Sequence, residues 1–195
     1  MATIEFYWDA VSPYTYLAAT QIERFAAEHG TALVWKPVLL GKLFEACGNR
    51  APLTVPAKGQ YMFADLQRWA RHYGVPLQVP SAFPVSTLNA QRIASALGGE
   101  DRARWARATL GAYWARNLDI SQPPVLEALA TELGFDGPDL LARAQTPEAK
   151  EQLKAYTDEA AQRGAFGAPT FFIGDAMFWG NDRFELMAST LADAA

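Results

Sequence analysis

The sequence is poor in the residues that carry thiol and metal chemistry. One cysteine, Cys47, and two histidines, His29 and His72, occur in 195 residues. A single cysteine excludes an internal disulfide and a thiolate metal cluster, and the two histidines do not have the spacing of a zinc site. We therefore expect no metal site and no serine-hydrolase triad, a buried or half-buried Cys47 without a catalytic role, and a reducing, cytoplasmic environment.

The sequence also lacks an excess of positive charge and a long apolar run. Lys and Arg number 17 against 21 Asp and Glu, which gives a net charge of −4. A surface for nucleic acid or anionic lipid needs a basic patch, and a membrane-spanning helix needs about 20 apolar residues. We therefore expect no nucleic-acid partner and no membrane association. The first residues lack the basic and apolar regions of a signal peptide, which also favours the cytoplasm.

Half of the residues are hydrophobic, and their pattern changes twice along the chain. Ile4–Trp8 and Ala32–Val38 are predicted strands on either side of a helix from Pro13 to His29, a pattern typical of a parallel β-α-β unit. From Leu39 to about Arg163 the pattern of apolar residues becomes helical. Helices are predicted over Lys58–Tyr73, Thr87–Leu97, Arg102–Arg116, Pro123–Leu133 and Pro138–Arg163, the last interrupted near Thr146-Pro147.

The chain then returns to strands. Pro169–Ile173 and Ala176–Trp179 are predicted to form a hairpin, and a last helix is predicted over Asp182–Leu191. The order β-α-β, helices, β-β-α predicts an α/β, thioredoxin-like fold with a large all-helical insertion. Residues 1–38 and 164–195 would form the discontinuous thioredoxin-like domain, and residues 39–163 the helical insertion domain.

Ser12-Pro13-Tyr14-Thr15 lies where the first strand meets the first helix, the place of Cys-x-x-Cys in thioredoxin-like proteins. Serine before proline is in itself a good helix start. The same helix N-terminus also presents unpaired N–H groups to an anion. A hydrogen bond from Ser12 of about 1.5–3 kcal/mol, with about 0.3–1 kcal/mol from the helix end, is enough to lower the pKa of an external thiol by about two units.

Two segments near the end of the chain can contribute to the same site. A cis Ala168-Pro169 bond facing the strand-helix junction would present the Ala168 N–H and C=O to a peptide-like ligand, although proline at a strand start also suits a plain structural role. Asn181 and Asp182 lie at the start of the last helix, where either can act as its N-cap and where a carboxylate can receive an amino group. Ser12 and these two segments together indicate a binding site.

In this order and spacing, the segments resemble the 2-hydroxychromene-2-carboxylate isomerases, a glutathione-dependent family of the DsbA-like thioredoxin superfamily that is related to kappa-class glutathione transferases. The resemblance covers almost the full length. It rests on Phe6-Tyr7-Trp8-Asp9, Val11-Ser12-Pro13-Tyr14-Thr15-Tyr16-Leu17, Lys36-Pro37-Val38-Leu39-Leu40-Gly41, Gly48-Asn49, Lys58-Gly59, Gly167-Ala168-Pro169-Thr170-Phe171 and Trp179-Gly180-Asn181-Asp182-Arg183.

The resemblance implies a DsbA/kappa-type fold, a glutathione cofactor, a small aromatic carboxylate substrate and a homodimer. Ser12 would be the catalytic residue that stabilises the glutathione thiolate. The residues that would contact glutathione are Ser12, Pro13, Tyr14, Asn49, Lys58, Ala168, Pro169, Asn181 and Asp182. Enzymes of this family use glutathione to interconvert 2-hydroxychromene-2-carboxylate and trans-o-hydroxybenzylidenepyruvate during degradation of naphthalene-type aromatics. Reversible thiolate addition turns a double bond into a rotatable single bond and returns glutathione unchanged.

Other interpretations stay open at this point. A kappa-like glutathione transferase or peroxidase would use Ser12 in the same way but would consume glutathione. A non-catalytic module would bind extended peptides at Ala168-Pro169. A dithiol oxidoreductase is excluded because positions 12 and 15 carry serine and threonine. We expect an aromatic pocket, for which the candidates are Trp8, Tyr14, Tyr61, Phe83 and Trp179, although each of them would also suit the core.

Overall fold

The computed structural model describes residues 2–193, in which four strands form one mixed sheet with helices on both faces. The elements are β1 (Thr3–Trp8), α1 (Pro13–Glu28), β2 (Ala32–Pro37), α2 (Leu40–Cys47), a 3-10 turn (Pro52–Thr54), α3 (Pro56–Tyr73), α4 (Leu88–Ala96), α5 (Gly99–Trp114), α6 (Pro123–Glu132), α7 (Gly137–Arg143), α8 (Pro147–Gln162), β3 (Thr170–Ile173), β4 (Ala176–Trp179) and α9 (Phe184–Asp193). The strand order is β2-β1-β3-β4, with β1 and β2 parallel and the other pairs antiparallel.

This architecture confirms the predicted thioredoxin-like fold. The β1-α1-β2 unit and the β3-β4-α9 unit share the sheet, and helices α2 to α8 lie between them in the chain. The division into two domains stays a prediction. Residues from both predicted domains contribute to the same large hydrophobic cluster. Among the described residues, no helix is both long enough and apolar enough to cross a membrane.

The sequence prediction missed one helix, α2, which begins at Leu40. No side chain next to it in sequence caps its first turn. The buried carboxylate of Asp9 instead accepts the Leu40 N–H at 2.8 Å, from 31 residues away. Such a long-range cap leaves no local signal. The prediction for Cys47 was also wrong, because this last residue of α2 is exposed.

Strand β1 separates two hydrophobic layers. Successive side chains of a strand point to opposite faces. Ile4, Phe6 and Trp8 are fully buried in the larger cluster, which includes residues of α1 and α3 to α7. Tyr7 points the other way and packs with residues of α2, α8 and β3. The sheet is therefore covered on both faces where β1 runs towards Ser12.

A compact group of charges lies on the Tyr7 face of the sheet. This Lys36 cluster consists of Lys36, Glu5, Tyr7, Glu159 and Arg163. Lys36 Nζ donates to Glu5, to Glu159 at 2.8 and 2.9 Å and to the Tyr7 hydroxyl at 3.1 Å, and Arg163 donates to Glu5 and Tyr7. Burial raises the pKa of Glu5, but its bonds to Lys36 and Arg163 outweigh that effect and hold the pKa below its usual value. The cluster ties β1 and β2 to α8.

Candidate functional site

The strand register brings the predicted site segments together. Tyr7 pairs with Thr170, so the end of β1 and the turn into α1 lie beside Pro169. Thr170 in turn pairs with Trp179, and the Gly180 N–H donates to the Pro169 carbonyl at 3.1 Å. The turn after β1 therefore meets both ends of the β3-β4 hairpin at one end of the sheet. We call the group formed by Ser12, Ala168, Pro169, Gly180 and Asn181 the Ser12 end.

Ser12 is the N-cap of α1, as predicted. Its backbone is extended, and its Oγ accepts the Thr15 N–H at 3.2 Å. The same hydroxyl donates to the Ala168 carbonyl at 2.8 Å. Pro13 is buried at the first helical position, and the Ala168–Pro169 peptide bond is cis, as expected from the sequence. Ser12 is 5 % exposed, so its hydroxyl is held almost entirely by protein groups.

Asn181 is buried beside these residues, and one of its side-chain polar atoms has no partner among the described residues. Its backbone carbonyl accepts the Tyr73 hydroxyl at 2.7 Å. Its side-chain Nδ2 has no hydrogen-bond partner within residues 2–193, and the residue is 3 % exposed. Thr15 Oγ1, close to Ser12 on α1, is likewise buried and unpartnered within the described chain. Buried polar groups of this kind are uncommon and call for an explanation, which a bound ligand or water would supply; Trp8 Nε1 and Gln91 Oε1 are two further examples away from this site.

Tyr14 contacts α3 through its hydroxyl, which donates to Asp65 at 3.0 Å. Burial raises the Tyr14 pKa, and the carboxylates of Asp65 and Asp182 raise it further. The same combination of burial and nearby Asp182 raises the pKa of Tyr73. Both phenols therefore stay protonated around neutral pH, and both are hydrogen-bond donors at this end of the molecule.

The remaining predicted contact residues lie at different distances from the Ser12 end. Asn49 is joined to it, because its Nδ2 donates at 2.8 Å to the carbonyl of Phe166, two residues before Ala168. Asp182 directly follows Asn181, is 39 % exposed and lies 3.2 Å from the Arg183 guanidinium. Lys58 is exposed on the first turn of α3 and forms no hydrogen bond or ion pair with any other residue of 2–193. The structure thus gathers all these residues except Lys58 by hydrogen bonds or chain adjacency.

The five predicted pocket aromatics have different environments. Trp8 is fully buried against Trp35 and belongs to the core. Phe83 is half-buried against Tyr113 and Trp114. Tyr14 is half-buried, while the other two are exposed, Tyr61 by 64 % and Trp179 by 46 %.

A groove of about 370 Å³ adjoins the Ser12 end at Asp182, between α1, α3 and the start of α9. Its aromatic lining is Phe25, Trp69, Tyr73 and Phe184, none of which the sequence interpretation chose. A larger cavity of about 630 Å³ lies between α1, β2 and α5 and contains no residue of the Ser12 end.

Three further residues support the site and were missed from the sequence. Asp65 holds Tyr14, Tyr73 holds Asn181, and Asp9 holds the turn before Ser12 by accepting the Val11 N–H at 3.1 Å. Burial raises the pKa of Asp9, although hydrogen bonds from Leu40, Thr87 and Val11 oppose it. Only Asp9 had a sequence signal, as an acidic residue directly after a buried strand. Asp65 and Tyr73 lie on a long helix, where nothing local distinguishes them.

The arrangement can hold an anion at the start of α1 and an extended backbone along Ala168. The free end of a helix attracts negative charge, and Ser12 adds a hydroxyl donor there. Ala168 precedes a strand and can pair with a ligand as another strand would. Asn181, which follows the Gly180 that bonds to Pro169, adds a buried amide donor. A thiol attached to a peptide-like backbone with a carboxylate fits these three features.

Comparison with known proteins gives consistent results. The family model of the DSBA-like thioredoxin domain matches residues 3–192. A 2-hydroxychromene-2-carboxylate isomerase of Sphingobium xenophagum is 34% identical over 194 residues, 98% of each chain. Glutathione S-transferase kappa 1 of Homo sapiens is 32% identical over 211 residues, covering 98% of this chain and 91% of that protein. A solved 2-hydroxychromene-2-carboxylate isomerase matches with a TM-score of 0.90 and 28% identity, covering 98% of this chain and 95% of the other.

Proposed function

The chain belongs to the DSBA-like thioredoxin family, and on that premise we propose that it is a glutathione-dependent isomerase that interconverts 2-hydroxychromene-2-carboxylate and trans-o-hydroxybenzylidenepyruvate. Relatives that bear the isomerase name and match over nearly the whole chain support the reaction class. The observation that carries the proposal is the position of Ser12, a hydroxyl at a helix N-terminus beside the backbone of Ala168. We also propose that the enzyme is a cytoplasmic homodimer.

Ser12 is the residue that makes thiol chemistry available to a protein with serine and threonine in place of the two cysteines. Bound glutathione supplies a thiolate that adds reversibly to a conjugated carbon, so that rotation about the former double bond becomes free. The Ser12 hydroxyl and the N-terminus of α1 favour the charged form of that sulfur. Pro13 and Tyr14 shape the first turn beside it, and the proton that the thiol loses leaves to solvent.

The residues around Ser12 fit a glutathione molecule. Asn181 Nδ2 is a buried donor that finds no acceptor in residues 2–193, and a carboxylate of glutathione would supply one. Asp182 is exposed beside it and can receive the amino group of the γ-glutamyl end. Ala168 offers its backbone to the cysteinyl residue. Asn49 and Lys58 would contact the remaining polar groups of glutathione or the carboxylate of the substrate. Lys58 is a cation without an internal partner in the described chain.

A second function, a kappa-like glutathione transferase, is favoured by one observation. The human kappa relative is 32% identical and matches over 98% of this chain, similar to the isomerases. Both functions use the same serine and the same cofactor site. They differ in whether glutathione leaves unchanged or is transferred to the product.

The test is a spectroscopic assay with 2-hydroxychromene-2-carboxylate in the presence and absence of glutathione, followed by a count of free thiol after many turnovers. We expect a spectral change that requires glutathione, with no loss of thiol. Loss of one thiol per product would instead establish a transferase. Before the assay, glutathione at about 100 times its dissociation constant should raise the free energy of unfolding by about 2.7 kcal/mol. No thermal shift at millimolar glutathione would exclude both functions.

A further inference from the structure

The carbonyl of Ala10, two residues before Ser12, is held by a side chain from a distant part of the chain. Trp114, the last residue of α5, donates its Nε1–H to this carbonyl at 2.8 Å from 104 residues away. Ala10 and Trp114 are both fully buried, so water does not compete for the bond. No backbone N–H of residues 2–193 donates to the Ala10 carbonyl, and Trp114 therefore supplies the hydrogen bond that this buried group needs.

The bond fixes one end of a peptide plane that lies directly before Ser12. A peptide unit is planar, so the Ala10 carbonyl and the Val11 N–H turn together. The Val11 N–H donates to the Asp9 carboxylate at 3.1 Å, and the N–H of Ser12 donates to the Asp9 carbonyl at 3.1 Å. Both ends of this plane and the N–H that follows it are held, which sets the direction in which the chain enters α1.

Trp114 is itself firmly placed. Its ring packs against those of Phe83 and Tyr113, with centroid distances of 5.3 and 5.0 Å, and its backbone carbonyl accepts the Gln78 N–H at 2.9 Å. Groups on a helix are positioned more accurately than groups on a loop. The end of α5 is therefore a rigid support for the turn that carries Ser12.

We propose that Trp114 is a positioning residue of the isomerase, which acts on Ser12 through the Ala10 carbonyl. Ser12 is the donor that we assign to the glutathione thiolate, and a hydrogen bond weakens steeply as its angle departs from linearity. A displacement of about 1 Å can lower a catalytic rate about a hundredfold. The bond from Trp114 keeps Ser12 in the orientation that serves the thiolate. This inference rests on the proposed function, and it gives a helix from the middle of the chain a part in the reaction.

A second tryptophan of the same helix provides a matched control. Trp105 is also fully buried on α5, and its Nε1–H also donates to a backbone carbonyl, that of Ala90 in α4, at 2.9 Å. Trp105→Phe and Trp114→Phe therefore remove the same kind of hydrogen bond from the same helix. Only the bond of Trp114 is made to the turn before Ser12.

The experiment compares wild type with these two variants in the isomerase assay and in an ultraviolet titration of the bound glutathione thiolate. We expect Trp114→Phe to lower kcat at neutral pH about tenfold and to move the thiolate titration to higher pH by about one unit, because Ser12 loses its alignment. Trp105→Phe should leave kcat and the titration unchanged. The urea midpoints of the two variants should fall by similar amounts, since each replaces a fully buried indole by a smaller ring.

Benzothienylalanine incorporated at position 114 serves if Trp114→Phe folds poorly. This residue keeps the shape of the indole ring and has sulfur in place of the N–H, so it removes the donor without leaving a cavity. The same changes in kcat and in the titration are expected, and benzothienylalanine at position 105 is its control.

Each outcome bears on a different claim. A fall in kcat together with a shifted titration at position 114 alone would support the positioning role. An unchanged titration at position 114, or an equal shift at position 105, would overturn that role, because the bond to Ala10 would then contribute to stability alone. The proposed function would stand in that case, provided that wild type isomerises the substrate with glutathione. A wild type that does not bind glutathione would overturn both.

Discussion

The Lys36 cluster and the Ser12 end lie near one another on the sheet, and both contain buried polar side chains. In the cluster, the Lys36 ammonium has three acceptors and the Tyr7 hydroxyl has two donors. Asn181 Nδ2 at the Ser12 end and Thr15 Oγ1, one turn along α1 from Ser12, have no partner among the described residues. An unsatisfied buried group costs about 1–3 kcal/mol. The first region therefore stabilises the fold, whereas the second gives up stability for groups that a ligand can use.

The largest effect is expected from breaking the Lys36 cluster. Lys36→Met removes the cation that pairs most closely with Glu159 and also pairs with Glu5, while Arg163 still pairs with Glu5 and lies 3.9 Å from Glu159. Removing one partner of a buried ion pair costs about 3–5 kcal/mol. Because Glu159 is 38% exposed, we expect a smaller loss of roughly 2–3 kcal/mol in the free energy of unfolding, measured by urea denaturation.

Two controls make this result specific. Lys42→Met removes an ion pair with Glu45 in which both side chains are about two-thirds exposed, and should leave the urea midpoint unchanged. The affinity of Lys36→Met for glutathione, measured where the variant is folded, should equal that of wild type. A large loss of affinity with little loss of stability would show that the cluster belongs to the binding site.

The next largest effect is expected on the rate of the isomerase reaction. Ser12→Ala removes the donor that we assign to the thiolate, and a hydrogen bond to a charged group is worth about 1.5–3 kcal/mol. We expect kcat/KM for the isomerase reaction to fall about ten- to a hundredfold, with a loss of about 1 kcal/mol in stability from the missing cap. The ultraviolet absorbance of the bound thiolate should titrate at higher pH than in wild type. An unchanged titration would leave Ser12 as a plain helix cap.

Sequence reasoning predicted the parts of this site that are local and missed those that depend on distant contacts. Serine before proline after an apolar strand identifies the helix start at Ser12 without any tertiary information. The hydrogen bonds that support the site cross long stretches of chain: 51 residues from Tyr14 to Asp65 and 108 from Tyr73 to Asn181. No spacing rule predicts such partners. Helix α2 was missed for the same reason, because its first N–H is capped by Asp9.

A smaller effect should separate affinity from stability at Asn181. Asn181→Ala removes a buried amide donor that has no acceptor in residues 2–193, so little is lost from the folded protein. We expect a change of less than about 1 kcal/mol in the free energy of unfolding and about tenfold weaker glutathione binding by calorimetry.

Asn89→Ala is the matched control for this change. Asn89 lies at the start of α4, and its side chain accepts from Gln145 on the surface. Its loss should not alter the affinity for glutathione. If Asn181→Ala destabilised the protein by several kcal/mol and left the affinity unchanged, Asn181 would belong with the Lys36 cluster as a structural residue.

The smallest effect concerns Asp9, which supports the turn before Ser12. Its pKa is raised by burial above the ordinary value of 3.8, so the folded protein keeps a proton that the unfolded chain has already lost. Between these two pKa values, stability therefore falls as pH rises. Asp9→Asn removes this contribution and keeps one oxygen to accept an N–H. The difference in unfolding free energy, wild type minus variant, should decrease with rising pH across that window and become constant above it.

Glu5 in the Lys36 cluster provides the comparison. Its pKa is lowered, so the difference in unfolding free energy between wild type and Glu5→Gln should increase with rising pH, the opposite slope to that of Asp9. A difference that rises with pH for Asp9 would show that its hydrogen bonds to Leu40 and Val11 outweigh its burial.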